Sequence, residues 1–226
     1  MAEGFALKGK SKSKWLAYYM GIRSAVFDSW LSEKMAEMAD AAVIHIGCGM
    51  DSRILRVGAK GHKWYDVDFP EVITERRRYY TEDENYSMIA GDASNGDWLN
   101  SIPESQSAIV VMEGISMYLS PDELKGLTKN LSDKFRQSAI LMDCYSEFAA
   151  RMSKYKNPVK DVGVSLVWGL DNPESLNSGD LRFVTEHTIT PQKYIDELRG
   201  MEKRIFEKLY AGSFAKKLYK LYEYKK

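Results

Sequence analysis

Short apolar runs alternating with helical patterns constrain this chain more than any other feature. Ala42-Val43-Ile44-His45-Ile46 reads as a buried strand that stops at the tight turn Gly47-Cys48-Gly49. Asp51 or Ser52 stands where it can cap a helix running through Leu55. Lys63 to Asp68 is a second strand, and Pro70 opens a helix to about Tyr80, because proline suits a first helical turn. Tyr86 to Ala90 makes a third strand, ended by Gly91-Asp92. Ala108-Ile109-Val110-Val111-Met112 is apolar throughout, the mark of a strand buried on both faces. Ser120-Pro121-Asp122-Glu123 combines an N-cap, a proline and first-turn acids ahead of a helix that buries Leu124, Leu127 and Leu131. Ser138 to Met142 is a fifth strand. Such a succession needs crossover connections, so the fold class is α/β, with a mostly parallel central sheet and helices on both faces.

The flanks are less regular. Lys14 to Met38 reads as a long helix, with Trp15, Tyr19, Ile22, Val26, Trp30 and Leu31 near helical spacing. Tyr155 to Ser178 is rich in Gly, Asn, Pro and Ser, which predicts a loop-bearing insertion acting as a mobile substrate-side cover. Pro191 to Leu198 is a short helix, and the lysine- and tyrosine-rich stretch after Met201 suits either a strand or a helix. The expected organisation is a single domain over residues 1–226. It divides into a helical segment (1–40), a binding core (41–150), the insertion (151–190) and a C-terminal segment (191–226).

Composition narrows the functional classes. Lys+Arg and Asp+Glu both number 32, and this balance argues against a protein that grips a nucleic-acid backbone. Met1 to Ser13 carry three lysines and one acid with no apolar run behind them, unlike a signal peptide, and no stretch has the length of a membrane span. Cys48 and Cys144 are far apart and read as free thiols, so the expected setting is the cytoplasm.

Candidate site residues follow the strands. Gly47 and Gly49 close the first strand where glycine allows a ligand to approach the backbone. A dinucleotide site wants a third glycine nearby; Asp51, Ser52 and Arg53 fill that zone, which suits a cofactor without phosphates. Asp66 and Asp68 follow about 20 residues later, the spacing at which an acid meets ribose hydroxyls. Of the two, Asp68 lies nearer the strand end and is expected to carry the ribose. Asp66 is expected to pair with backbone N–H groups of the glycine turn, and one of the two to cap the helix at Pro70. Asp92 is placed to meet an adenine edge. Glu113 ends an apolar strand at the carboxyl edge of the sheet, where open α/β folds hold ligands. His45, inside the first strand, is expected to be hydrogen-bonded beneath that edge rather than catalytic. No spacing of His, Cys, Asp and Glu suggests a metal.

Three stretches carry a resemblance. Ile46-Gly47-Cys48-Gly49-Met50-Asp51-Ser52-Arg53, Trp64 to Val72 and Met112-Glu113-Gly114-Ile115-Ser116-Met117-Tyr118-Leu119 together resemble the leucine carboxyl methyltransferase family. They look most like its bacterial branch of tetracenomycin-type polyketide O-methyltransferases. Trp168-Gly169-Leu170-Asp171 resembles a further stretch of that branch. The resemblance implies a Rossmann-like class I methyltransferase fold with S-adenosylmethionine as cofactor. It also implies that Arg23 holds the cofactor carboxylate, Gly47 is the motif glycine, Asp68 is the ribose acid, Asp92 and Ala93 meet the adenine, and Glu113 is the acid after the fourth strand. Relatives carry a longer segment ahead of the arginine. The pocket is therefore expected to be more open here, or completed by a partner chain in a homodimer.

Methyl transfer from a sulfonium needs alignment and desolvation more than a strong acid or base. Tyr118 is the catalytic candidate, as a wall of the methyl-transfer site; Tyr145, Trp168 and His187 are weaker ones. The expected activity is O-methylation of a hydroxyl or carboxyl oxygen on a small molecule, with no nucleic acid and no membrane as partner. The alternatives are a non-catalytic cofactor-binding protein, a protein carboxyl methyltransferase and an NAD-dependent oxidoreductase.

Overall fold

The computed structural model describes residues 14–103, 105–153 and 166–226. The predicted long first helix is α1 (Lys14–Glu37). Then come β1 (Ala42–Ile46), α2 (Arg53–Val57), β2 (Trp64–Asp68), α3 (Pro70–Arg76), β3 (Tyr86–Ala90), β4 (Ser107–Met112), α4 (Pro121–Lys134) and β5 (Gln137–Tyr145). The chain continues through α5 (Glu147–Ser153), β6 (Arg182–Glu186), α6 (Gln192–Ile195), α7 (Gly200–Tyr210), α8 (Ser213–Leu218) and β7 (Tyr219–Lys225). The strands form one seven-stranded sheet in the order β3-β2-β1-β4-β5-β7-β6. The first five are parallel, as the crossover rhythm requires, while β7 runs antiparallel to both β5 and β6.

Alternation along the strands builds two cores. Ala42, Ile44 and Ile46 of β1 face Leu124, Leu127 and Leu131 of α4, together with Val110, Met112, Ile140 and Met142. Val43 faces the other way, onto Phe27, Trp30, Leu31 and Met35 of α1 with Ile109, Val111 and Leu141. Both faces of the sheet are thus covered by helices, which explains the unbroken apolar runs. Each fully buried Leu or Phe in these layers contributes roughly 1.5–3 kcal/mol.

Local chemistry sets the helix starts. Ser120 accepts from the Glu123 N–H at 3.3 Å, and Glu123 accepts from the Ser120 N–H at 2.7 Å, a complete capping box behind Pro121. Two expectations are corrected. No side chain caps α2: Ser52 sits at its N-cap, but its hydroxyl accepts from Arg56, and Asp51 pairs with Arg53 and Arg56. Neither aspartate of β2 caps α3, since Asp68 takes the Phe69 N–H, one residue too early to reach the helix donors.

The stretch after Met201 is both helix and strand. Its last strand buries Leu221, Tyr222 and Tyr224, and the two phenols donate to the carbonyls of Leu170 and Pro173. Alternating Lys and Tyr conceals a strand paired on both sides because tyrosine buries its ring while its hydroxyl still finds a partner. Of the expected cover from Tyr155 to Ser178, residues 155–165 lie outside the described residues. The rest docks: the Trp168 and Leu170 N–H groups donate to Met117 and Tyr145, and Leu176 is buried.

Asp66 is wholly buried in β2, level with His45 of β1. Its carboxylate accepts from Trp64 Nε1 at 2.8 Å and Tyr86 Oη at 2.7 Å, pairs with Arg76, and lies 3.2 Å from His45 Nδ1. The expected pairing with the glycine turn is therefore wrong. Asp66 sits two residues too deep, and side chains satisfy it. Burial alone would raise its pKa, but the hydrogen bond from His45, the Arg76 charge and the Tyr86 hydroxyl outweigh that and hold it at about 2. A depressed pKa stabilises the fold above the ordinary value of 3.8 and loses that contribution as the pH falls toward about 2. Asp66→Asn, which leaves Arg76 buried beside a neutral amide, is expected to cost about 3–5 kcal/mol at neutral pH. In denaturant unfolding, the gap from wild type should narrow as the pH falls through that window.

Candidate active site

The site is built at the carboxyl ends of β1, β2, β3 and β4. β1 ends in Gly47, whose φ of +69° is open to glycine at little cost, and a Cβ there would lie 2.1 Å from Ile115 Cγ2. The Gly47 and Cys48 N–H groups donate to the Val67 carbonyl, which anchors the turn to β2. Gly49, at φ +50°, donates its N–H to Asp68 Oδ2 at 2.7 Å, while Asp68 Oδ1 accepts from Phe69 at 2.8 Å. The pairing expected of Asp66 thus belongs to Asp68, which holds the turn with backbone donors. After β3, Asp92 accepts from the Ser94 N–H at 2.8 Å, a local turn that fixes its carboxylate.

These elements enclose a cavity of about 310 Å³, lined among others by Gly47, Asp68, Phe69, Asp92, Ala93, Ile115 and Tyr118. That is near the lower end of the roughly 300–1,000 Å³ typical of small-ligand sites. Five of the expected site residues thus line one cavity, and Gly49 is hydrogen-bonded to one of them, Asp68.

Arg23 and Glu113 do not line this cavity; they meet next to Gly114, one residue before the lining Ile115, and bond to each other. Arg23 Nε donates to Glu113 Oε1 at 2.8 Å, and Nη1 donates to Tyr219 Oη at 2.5 Å and lies 3.0 Å from Asp143 Oδ2. Among the described residues, Nη2 alone of the three guanidinium nitrogens has no hydrogen-bond partner. It points toward Gly114, where an added Cβ would lie 3.6 Å away. The other oxygen of Glu113 takes Nη2 of Arg53, a completely buried arginine that also donates to Asp28 and His45. An acid in this place is accordingly explained by two arginines.

Asp143, at the end of β5, accepts from the Gly114 N–H at 2.7 Å and from Tyr219 Oη at 2.5 Å. Complete burial raises its pKa, opposed by the Arg23 charge and these hydrogen bonds. Burial also raises Tyr118, helped by Tyr145 and Asp143 and opposed by Arg23, so Tyr118 is a neutral phenol and a hydrogen-bond donor rather than a base. Tyr145 packs edge-on against Tyr219 with ring centroids 5.3 Å apart. Trp168 lines a different cavity with Cys144 and Leu170, and His187 pairs with Glu223 at 2.6 Å. Neither joins the glycine turn.

Arg53, Asp143 and Tyr219 were not foreseen. Asp143 had a signal, an acid within the apolar run from Ala139 to Cys144, but Tyr219 becomes visible only once β7 is placed beside β5. Gly47→Ala is expected to lower the melting temperature strongly through both its positive φ and the contact with Ile115. Adding Ile115→Ala should remove the steric part and leave a backbone penalty of about 1–2 kcal/mol, measured as a double-mutant cycle of thermal melts.

Comparison with known proteins shows the family of the chain. Residues 3–132 match the family model described as leucine carboxyl methyltransferase. The chain is 32% identical over 184 residues to the tetracenomycin polyketide synthesis O-methyltransferase TcmP of Streptomyces glaucescens, covering 80% of this chain and 68% of that protein. It is 26% identical to the S-adenosyl-L-methionine-dependent methyltransferase dpfgK of Gibberella zeae, covering 75% of this chain and 62% of that one. In fold it is similar to the magnesium protoporphyrin IX methyltransferase ChlM of Synechocystis, solved with bound S-adenosylhomocysteine, at a TM-score of 0.60 and 8% identity over 96% of this chain and 90% of that one. The family match and the identity to TcmP agree, and the protein belongs to the leucine carboxyl methyltransferase family of S-adenosylmethionine-dependent methyltransferases.

Proposed function

We propose that this protein transfers the methyl group of S-adenosylmethionine to a hydroxyl or carboxyl oxygen of a small molecule, in the cytoplasm. The observation that carries the proposal is the cavity at the carboxyl edge, lined by Gly47, Asp68, Asp92 and Ala93, with Nη2 of Arg23, unpartnered among the described residues, near Gly114. These residues fit the cofactor. A bare turn permits close approach, an acid can accept from vicinal hydroxyls, and a guanidinium edge can take a carboxylate. When bound, the cofactor supplies an electrophilic methyl on sulfur.

The chain's own groups then align and exclude water. Tyr118 forms a wall and offers a hydrogen-bond donor. Asp68, Asp92 and Glu123, the acids lining the cavity, each already accept from backbone N–H groups. That arrangement favours an acceptor that arrives ionised, a carboxylate or an acidic phenol, over an alcohol that needs a base. No helix among the described residues is long and apolar enough to cross a membrane.

Calorimetry is expected to show binding of S-adenosylhomocysteine and none of NAD; the reverse result would return the chain to the oxidoreductase reading. Arg23→Ala should weaken S-adenosylhomocysteine about 10–150-fold while leaving methylthioadenosine, which has no carboxylate, nearly unchanged. A screen of carboxylic acids, phenols and alcohols with methyl-labelled cofactor then identifies the acceptor. Tight cofactor binding with no methylated product from any class would favour a non-catalytic binding protein.

A further inference from the structure

His45 is buried within β1, and both ring nitrogens are engaged: Nδ1 lies 3.2 Å from Asp66 Oδ1 and Nε2 lies 3.0 Å from Arg53 Nη1. A guanidinium only donates, so Nε2 must be the bare, accepting nitrogen, and Nδ1 carries the proton toward Asp66. Asp66, fixed by Trp64, Arg76 and Tyr86, thereby sets the tautomer of His45. Arg53 is held at three separate nitrogens: Nε by Asp28 at 2.8 Å, Nη1 by His45, and Nη2 by Glu113. Glu113 then holds Nε of Arg23. One line of directed contacts, Asp66 to His45 to Arg53 to Glu113 to Arg23, therefore runs from beneath the sheet edge to the guanidinium next to Gly114.

From this line, and resting on the carboxylate-binding role proposed for Arg23, we propose that His45 is a positioning residue for cofactor binding. It acts through Arg53 and Glu113 to aim Arg23, and it touches no ligand itself. Burial alone would satisfy any residue of similar bulk at this position. Only a side chain that donates toward Asp66 and accepts from Arg53 keeps the Arg53 plane, and with it the Glu113 carboxylate, in place. Leucine preserves the bulk without the bonds, whereas the amide of glutamine carries one donor and one acceptor.

Wild type, His45→Leu and His45→Gln are titrated calorimetrically with S-adenosylhomocysteine and with methylthioadenosine. His45→Leu should weaken S-adenosylhomocysteine about tenfold or more and methylthioadenosine less than about twofold, and His45→Gln should restore most of the loss. Equal losses for both ligands, or no loss, would overturn the proposal. Nitrogen-15 NMR of wild type decides the matter should the leucine variant not fold. The expected spectrum has a protonated Nδ1 and a bare Nε2, with resonances that move on adding S-adenosylhomocysteine but not methylthioadenosine. A protonated Nε2, or resonances indifferent to the intact ligand, would sink it. Failure of wild type to bind S-adenosylhomocysteine would remove the cofactor role of Arg23 as well; binding with the other adverse outcomes would remove the role of His45 alone.

Discussion

A guanidinium stays charged at every pH a folded protein meets, so an arginine as buried as Arg53 obliges its surroundings to supply acids and acceptors. Asp28, Glu113 and His45 meet that demand from α1, the turn after β4 and β1. Because the three partners belong to different elements, satisfying one charge also fixes how those elements meet. Glu113 is the shared point: its second oxygen fixes Arg23, so the position of one guanidinium follows from the burial of another. Removing Arg23 would leave the buried Asp143 without its counter-ion, a far larger penalty than the net gain from forming such a pair, whereas without Arg53 the acids Glu113 and Asp28 keep Arg23 and Arg56.

How much of this could be read from residues alone depended on distance along the chain. β1 to β4 were visible because a parallel sheet covered on both faces needs unbroken apolar runs, and Ala42–Ile46 and Ala108–Met112 have them. Gly47, Asp68 and Asp92 were visible because each closes or follows a strand at a spacing set by the crossover, and Ala93 through the family resemblance alone. β7 was hidden, since Tyr-Lys-Leu-Tyr-Glu-Tyr-Lys mixes polar groups with rings whose burial depends on carbonyls supplied by Leu170 and Pro173. The turn pairing expected of Asp66 falls to Asp68 for a related reason: only the register His45↔Asp66 shows that the deeper acid meets an imidazole rather than the turn. Compensation between charges is a property of the assembled edge, and no local window contains it.

The electrostatics of the site also separate its two halves. On the cavity side the carboxylates accept from backbone donors, which orient them without adding positive charge. Behind Gly114, the acids Glu113 and Asp143 face arginines. A ligand carrying vicinal hydroxyls at one end and a carboxylate at the other meets acceptors first and a cation last, a polarity that favours one orientation over its reverse.

The antiparallel strand between β5 and β6 has a consequence for how the molecule comes into being. Tyr219, which bridges Arg23 and Asp143, lies 196 positions after the arginine it steadies. The parallel strands β1 to β5 can assemble as the chain emerges, but the flank of β5 stays unpaired until β7 arrives from far downstream. Closing so long a loop is a slow, entropically costly step. The corner around Arg23, Asp143 and Tyr219 is therefore among the last parts to take shape, and a nascent chain that already holds its glycine turn still lacks the hydroxyl that steadies Arg23.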